Sequence, residues 1–204
     1  MNKKCRPLEK EEYEKIIETI TFGFEDDKGK CYPNKQIASV FVVQANTGLR
    51  IGDTLSIRLC DFVKDGNRYH FNNFREQKTK KVRTFTISPE IYTYMQTYAL
   101  ENGIKPDSKL FNISSRGVSK HLKRVCDYLG YERVGSHSFR KMYATEIYYK
   151  YSGKDIALIS NLLSHSSIAI TQRYIGVTSE NIEKALQNYV RIPNLNQPEL
   201  AKTI

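Results

Sequence analysis

The sequence predicts a mainly α-helical domain that carries one small antiparallel β-sheet, an α+β fold class. Apolar residues recur at helical spacing along most of the chain, first at Leu8, Tyr13, Ile16, Ile17 and Ile20. The pattern changes to strand-like content only between about residues 58 and 88. The composition, with 40% hydrophobic and 26% charged residues, is that of a chain that folds around an apolar core.

The predicted helices cover both ends of this strand-like region. Pro89 suits the first turn of a helix, where its missing N–H costs little, and Gly130 suits a helix end. Residues 22–34, rich in Gly, Asp and Lys, are predicted to form a loop. The helices are expected at residues 8–20, 35–46, 51–57, 89–99, 115–129, 139–151, 154–163, 168–174 and 179–190.

The predicted sheet is built around a β-hairpin. Arg68–Phe74 and Val82–Ile87 have strand-like content, and the polar, basic residues 75–81 connect them. Residues 59–64 are expected to add a third strand. Lysine side chains therefore lie at the tip of the hairpin.

The chain shows neither an internal repeat nor an interdomain linker. We therefore expect one domain over residues 1–190. Residues 191–204, which contain Pro193 and Pro198, are expected to form an extended arm.

Positive charge dominates the chain and is unevenly distributed. The net charge is +10, and residues 64–83 carry seven Lys or Arg against two acids. Residues 105–150 carry ten against four. This concentration favours a polyanionic partner such as nucleic acid over a merely soluble basic protein. The side chains expected to contact it are Lys80, Lys81, Arg83, Lys120, Lys123, Arg124 and Lys141.

Cysteine usage and hydropathy exclude several other classes of protein. The four cysteines are scattered and show neither a CxxC nor a Cys/His ligand spacing, so no metal site and no disulfide framework is expected. The N-terminal residues have no apolar signal-peptide core, and no apolar run reaches membrane length. We expect a soluble cytoplasmic protein with reduced thiols and no membrane partner.

Phosphate-binding chemistry is dense in the C-terminal half. His137 and Arg140 are three residues apart, so they share one face of a helical turn. Arginine offers a fork of donors that fits phosphate, and histidine can donate or accept a proton near neutral pH. His165 and Tyr174 follow, nine residues apart. Each of these residues alone is more often structural, but together they can hold a phosphodiester while the phenol attacks phosphorus.

Four segments in this order resemble the conserved boxes of the tyrosine recombinase (phage integrase) family. The resemblance spans about residues 8–190, and it is specific because all four segments occur in the family's order. They are residues 47–61, which resemble the first arginine box, residues 77–81, which resemble the hairpin-lysine segment, residues 137–145, which resemble the HxxR box, and residues 162–174, which resemble the final histidine and the nucleophilic tyrosine.

The resemblance implies the fold of that family's catalytic domain and a role for each matching residue. Tyr174 is the expected nucleophile, which forms a 3′-phosphotyrosyl link, and His137 is expected to assist its deprotonation. Lys78 is the expected acid for the 5′-oxygen leaving group; choosing it over Lys80 or Lys81 is a matter of alignment. The remaining expected catalytic residues, which would hold the phosphate oxygens, are Arg50, Arg140 and His165.

Two departures from the family pattern are visible. Ser164 stands where glycine is common before the histidine, which bears on backbone conformation rather than on chemistry. Gly176 stands where many members have a polar residue. The N-terminal core-binding domain usual in the family is not expected within these residues, so they match either an excised catalytic domain or a natural minimal or truncated protein.

The implied activity is site-specific recombination of double-stranded DNA. It needs neither a metal nor ATP, so no cofactor is expected. The implied assembly is a monomer in solution and a tetramer on DNA, encoded by a prokaryotic cell, a phage or another mobile element. Two alternatives remain open: a non-catalytic or truncated DNA-binding relative, and a relaxing enzyme resembling type IB topoisomerases.

Overall fold

The computed structural model describes residues 4–66 and 68–176, and it confirms the predicted mainly helical fold with a small antiparallel sheet. The helix predicted at residues 179–190 and the arm at 191–204 lie outside the described residues. The helices are α1 (Lys10–Phe22), α2 (Lys35–Thr47), α3 (Ile51–Thr54), α4 (Pro89–Glu101), α5 (Ser115–Leu129), α6 (Ser136–Glu146), α7 (Ile156–Leu162) and α8 (Ile168–Ile175).

Side-chain caps explain several helix ends. The side chain of Asn34 accepts a hydrogen bond from the backbone N–H of Ile37 at 3.0 Å at the start of α2. Ser114 caps α5 in the same way, through the N–H of Gly117 at 3.1 Å. Gly130 ends α5 in the left-handed conformation that glycine adopts without strain. The boundaries predicted for α5 are therefore confirmed.

Residues 22–34 were predicted as a loop, and that prediction is wrong in part. They contain an antiparallel hairpin of two strands, β1 (Phe24–Asp26) and β2 (Gly29–Cys31). Strands of three residues are too short to show an alternating pattern in the sequence. The ring of Phe24 stacks on that of Tyr128 in α5 at 4.2 Å, so tertiary packing stabilises this hairpin.

The helix predicted at residues 139–151 has different bounds in the structure. It begins earlier, at Ser136, and ends at Glu146. The chain continues from there as a π-helical turn, Ile147–Tyr151. The early start places His137 inside the first turn of α6, on the same helix as Arg140.

The larger sheet consists of β3 (Phe62–Asp65), β4 (Arg68–Arg75) and β5 (Val82–Ile87), in that order and antiparallel. The hairpin is confirmed, whereas the first part of the predicted third strand is a 3₁₀ turn, Leu59–Asp61. The β4–β5 register shifts between Phe71 and Phe74. Residues 76–81 connect β4 to β5 at the end of the sheet that faces α3.

Within the described residues, the core consists of two clusters. In the larger one, Phe41 of α2 stacks on Phe139 of α6 at 4.2 Å, and Phe62 packs on Phe71 across the sheet. A smaller cluster around Ala144 and Leu163 unites α6, α7 and α8. The site described below lies where the two clusters meet. Within the described ranges, no helix is both long and apolar enough to cross a membrane.

Candidate active site

A sharp turn between α2 and α3 places Arg50. Gly48 ends α2 in the left-handed conformation, with φ of 63°, and Arg50 follows in an extended conformation as the N-cap of α3. The side chain of Gln44 holds this turn by donating to the carbonyl of Leu49 at 3.1 Å. Gly48 also allows a close approach, because a Cβ there would lie 2.3 Å from the ring of Tyr143 in α6.

Arg140 joins the two core clusters. Its side chain is 2% exposed, and its guanidinium donates to the carbonyl of Gly48 and, at 2.6 Å, to the carbonyl of Leu163. Gly48 belongs to the Arg50 turn, and Leu163 ends α7 just before His165. Arg140 therefore fixes the relative positions of three segments that are far apart in the sequence: α6, the Arg50 turn and the end of α7.

His137 lies one turn before Arg140 at the start of α6. Its side chain has access to solvent. Partial burial is the largest influence that lowers the pKa of its imidazole, and the positive charges of Arg140 and Arg50 lower it further. Lys78 and Lys141 act in the same direction. His137 is therefore unprotonated at neutral pH and can accept a proton.

His165 follows a strained residue. Ser164 has φ of 50°, the left-handed conformation that favours glycine, so the family's usual glycine has a structural reason here. The Nδ1 of His165 forms a 2.9 Å hydrogen bond with the hydroxyl of Thr171, which is fully buried. Burial, followed by the charges of Arg140 and Arg50, lowers the pKa of His165 to about 4. The neutral ring can donate a hydrogen bond to an anion only through its other nitrogen.

Tyr174 packs against His165 near the end of α8. Their ring centroids lie 5.0 Å apart in an edge-to-face arrangement. The Tyr174 hydroxyl oxygen is buried, and no group in the described part of the chain completes a well-formed hydrogen bond to it. Burial raises the pKa of Tyr174, while the charge of Arg140, the approach of its guanidinium to the phenol oxygen and the charge of Arg50 act to lower it. The phenol thus lies within the field of both arginines.

The connection between β4 and β5 carries Lys78 to the same place. Its side chain is exposed, and its charge contributes to the lowered pKa of His137. The N–H of Gln77 donates to the carboxylate of Asp53 in α3 at 2.8 Å. One residue earlier, the Glu76 carboxylate pairs with Arg50 at 2.9 Å. All six residues predicted to be catalytic therefore belong to segments that meet around Arg140.

Two buried acids in this site were not predicted. Asp53 and Glu76 are 1% and 0% exposed, and burial, the largest influence, raises the pKa of Asp53. The available signals were the position of Asp53, three residues after Arg50, and a lone acid in a basic connection. Among the described residues, no group of three or more His, Cys, Asp or Glu could hold a metal ion.

The basic residues predicted to contact nucleic acid divide into two groups. Lys80, Lys81 and Lys120 are exposed, as such contacts require. Lys123 is also exposed but pairs with Asp127 along α5 at 2.8 Å. The side chain of Arg83 lies outside the described part.

Arg124 and Lys141 are engaged within the protein. Arg124 donates to Asp26 at 2.7 Å and to the carbonyl of Gly29, so it fastens α5 to the β1–β2 hairpin. Lys141 donates to the carbonyl of Cys5 at 2.8 Å and lies 5.2 Å from the centre of the Tyr174 ring. Both are partly buried, which favours structural roles.

Sequence comparison with known proteins relates this chain to one family. Residues 6–181 match the phage integrase family. A relative from Bacillus subtilis strain 168, the probable integrase/recombinase YoeC, is 30% identical over 160 residues, which cover 74% of this chain and 83% of YoeC. Tyrosine recombinase XerA from Pyrococcus furiosus is 26% identical over 201 residues, covering 93% of this chain and 64% of XerA.

Solved structures show the same fold. The crystal structure of the XerH site-specific recombinase bound to palindromic difH substrate, a post-cleavage complex, superimposes with a TM-score of 0.65 at 22% identity. The match covers 92% of this chain and 54% of the XerH chain. This chain therefore spans about half of XerH and just under two thirds of XerA.

Proposed function

The chain belongs to the phage integrase family, and on this premise we propose that it is a site-specific DNA recombinase acting through a 3′-phosphotyrosyl intermediate. The observation that carries the proposal is the environment of Tyr174. Its ring packs on His165 at 5.0 Å, and the charges of Arg140 and Arg50 act on its phenol. A phenol beside two guanidinium groups is suited to attack a phosphate that those groups bind.

In the cleavage step, the Oη of Tyr174 bonds to phosphorus and the bond from phosphorus to the 5′ oxygen breaks. Burial raises the pKa of Tyr174, so the phenol needs an acceptor for its proton. His137 is the proposed acceptor, because its lowered pKa leaves the imidazole neutral at physiological pH. The ammonium of Lys78 supplies a proton to the departing 5′ oxygen.

The arginines stabilise the charge that grows on the non-bridging oxygens. Arg140 is rigidly held by the carbonyls of Gly48 and Leu163, and Arg50 by Glu76, so neither guanidinium must reorganise during the reaction. His165 adds a neutral donor. Two fixed guanidinium groups can fill the electrostatic role that metal ions play in many nucleases, and we propose a reaction independent of both metal and ATP.

Rejoining reverses this chemistry with a different 5′ hydroxyl. The phosphodiester bond energy is retained in the tyrosyl ester, so no nucleotide is consumed. Exchange between two duplexes needs four active sites, and we propose a monomer in solution that assembles as a tetramer on DNA. The proposed catalytic domain is residues 1–190, followed by an arm at 191–204.

A covalent adduct tests the proposed function. Nicked suicide duplexes taken from DNA flanking the gene should give an SDS-resistant adduct. Cleavage near the nick releases the short fragment that carries the 5′ hydroxyl, so rejoining is prevented. Tyr174→Phe should give none and still bind DNA in a gel shift, whereas Tyr149→Phe, at an exposed position, should behave as wild type.

The other outcomes identify the alternatives. DNA binding without an adduct would indicate a non-catalytic relative. Relaxation of supercoils without site preference would indicate a topoisomerase-like enzyme.

A further inference from the structure

A buried carboxylate lies beneath the candidate active site. Glu76 is 0% exposed although it begins the most basic connection of the chain. Its carboxylate accepts hydrogen bonds from the Nη1 of Arg50, at 2.9 Å, and from the hydroxyl of Thr79. A buried carboxylate is costly unless it is paired, so these partners hold it in one place.

The backbone of Glu76 organises the loop that carries Lys78. Its N–H donates to the carbonyl of Lys81, and its carbonyl accepts from the N–H of Lys80, both at 3.0 Å. Lys78 lies inside the ring that these two bonds close. Glu76 thus belongs at once to the loop of Lys78 and to the hydrogen bonding of Arg50.

The same loop rests directly on the helix that follows Arg50. The side chain of Gln77 donates to the carbonyl of Gly52 at 3.1 Å. The approach is close, because a Cβ on Gly52 would lie 3.0 Å from the Gln77 side-chain oxygen. The loop and the Arg50 turn therefore form one connected surface.

The pairing sets the orientation of Arg50. The guanidinium is planar, so a bond at Nη1 fixes the direction of its remaining donors. In the described part of the chain, no group accepts a hydrogen bond from its Nε or Nη2. Those donors are the ones available to a phosphate, and their placement depends on Glu76.

We propose that Glu76 is a positioning residue that couples Arg50 to Lys78, so that both reach the same phosphate in the geometry of strand cleavage. The proposal rests on the proposed function. Arg50 acts on the non-bridging oxygens and Lys78 on the 5′ oxygen of one phosphate. The distance between the two groups therefore matters. Glu76 pairs with Arg50, and its backbone hydrogen bonds shape the loop that carries Lys78.

The test uses Glu76→Gln, which keeps the shape and an acceptor oxygen but removes the charge. Asp26→Asn is the matched control, because Asp26 also joins a hairpin to a helix through an arginine, Arg124, at 2.7 Å. Both variants change the net charge equally. Single-turnover cleavage of a suicide duplex at saturating protein is measured beside DNA affinity and thermal unfolding.

Glu76→Gln should slow single-turnover cleavage about 10- to 100-fold, the scale of a small misplacement of catalytic groups. Its Kd for DNA should stay within about threefold of wild type, since few phosphate contacts change. Asp26→Asn should cleave at the wild-type rate. Cleavage by Glu76→Gln at the wild-type rate, or a loss wholly explained by weaker binding, would overturn the proposal.

A duplex with sulfur in place of the 5′ bridging oxygen separates the two couplings. The thiolate leaves without a proton, so Lys78→Ala should recover most of its rate on this substrate. Glu76→Gln should recover only part of its loss, because misplacement of Arg50 persists. Full recovery would show that Glu76 acts through Lys78 alone. No recovery would show that it acts through Arg50 alone. Either result would contradict the proposed coupling.

Thr79→Val provides a second variant if Glu76→Gln unfolds. It keeps the carboxylate but removes one of its donors, and it should give a smaller loss with the same partial recovery. Full activity of Thr79→Val on the ordinary duplex would then overturn the proposal. If wild type and Asp26→Asn both fail to form an adduct, the proposed function itself fails, which is distinct from a selective effect of Glu76.

Discussion

Arg140 donates a hydrogen bond of 2.6 Å to the carbonyl of Leu163, 23 residues later in the chain, while its other terminal nitrogen donates to the carbonyl of Gly48. A side chain expected to bind phosphate is thus also the cross-link between the two core clusters. Its burial, at 2% exposure, means that the proposed catalytic geometry and the stability of the fold depend on the same residue.

Replacing Arg140 should therefore cost both stability and activity. Arg140→Met leaves two buried carbonyls without their donor, and we expect a loss of about 3 kcal/mol in the free energy of unfolding. Urea denaturation measures it. Lys78→Met is the control, because the side chain of Lys78 is exposed, so this variant should lose activity with little loss of stability. Equal denaturation midpoints for wild type and Arg140→Met would contradict the cross-link.

Gly48 should tolerate no side chain. Gly48→Ala places a Cβ 2.3 Å from the ring of Tyr143 at a φ of 63°, whereas Gly130→Ala meets no atom within 4 Å at a φ of 71°. Both substitutions carry the left-handed strain of about 1 kcal/mol, and only Gly48→Ala adds a steric clash. Thermal unfolding should show Gly48→Ala to be the more destabilised by about 2 kcal/mol. Equal losses would show that the ring can move aside.

Ser164 should be improved by glycine. Its φ of 50° is strained for serine, so Ser164→Gly should raise the free energy of unfolding by about 0.5 to 1 kcal/mol, after the greater flexibility of unfolded glycine is allowed for. Ser164→Ala keeps the strain and is the control. A loss of stability in the glycine variant would mean that the hydroxyl matters more than the backbone.

His165 should make the protein sensitive to mild acid. Burial lowers its pKa to about 4 from an ordinary 6.5, so between these values the unfolded chain binds a proton that the folded chain does not. The contribution is complete above pH 6.5 and is lost as the pH falls through about 4, with a ceiling of roughly 3 kcal/mol.

Unfolding of wild type and His165→Gln at pH 7 and pH 4.5 measures this contribution. The variant should lose less stability between the two values, while the lowered pKa of His137 and His121 acts equally in both proteins. Identical losses would contradict the low pKa of His165.

Cleavage should persist in a chelator. Arg50 and Arg140 are held in place by protein groups, so the proposed chemistry needs no divalent ion to neutralise the phosphate. Adduct formation should proceed at the same rate in EDTA as in its absence. A loss of adduct that added Mg²⁺ restores would contradict the metal-independent mechanism.

The sequence was sufficient for the parts of the fold that depend on local signals. Capped helices such as α5 and the β4–β5 hairpin with Lys78 were predicted, because apolar periodicity and turn residues mark them. The β1–β2 hairpin was not, because its stability comes from tertiary contacts such as that between Phe24 and Tyr128.

The candidate site also combines features that local sequence signals predict with features that depend on tertiary contacts. The order of the boxes indicated the catalytic candidates, but not how they are held. The carbonyl that Arg140 contacts lies 92 residues away in Gly48, and the acid that orients Arg50 lies 26 residues away in Glu76. No local pattern records such contacts, so a lone acid in a basic connection stands out in the sequence without showing that it is fully buried or that it pairs with Arg50.

The proposed 3′-phosphotyrosyl intermediate is tested by the chemical identity of the protein–DNA link. The adduct formed on a suicide duplex is digested with trypsin and nuclease and analysed by mass spectrometry, while the released strand is offered to a 5′ kinase. We expect a 3′-phosphonucleotide on Tyr174 and a released strand with a free 5′ hydroxyl. A link at any other residue, or one through a 5′ phosphate, would contradict it.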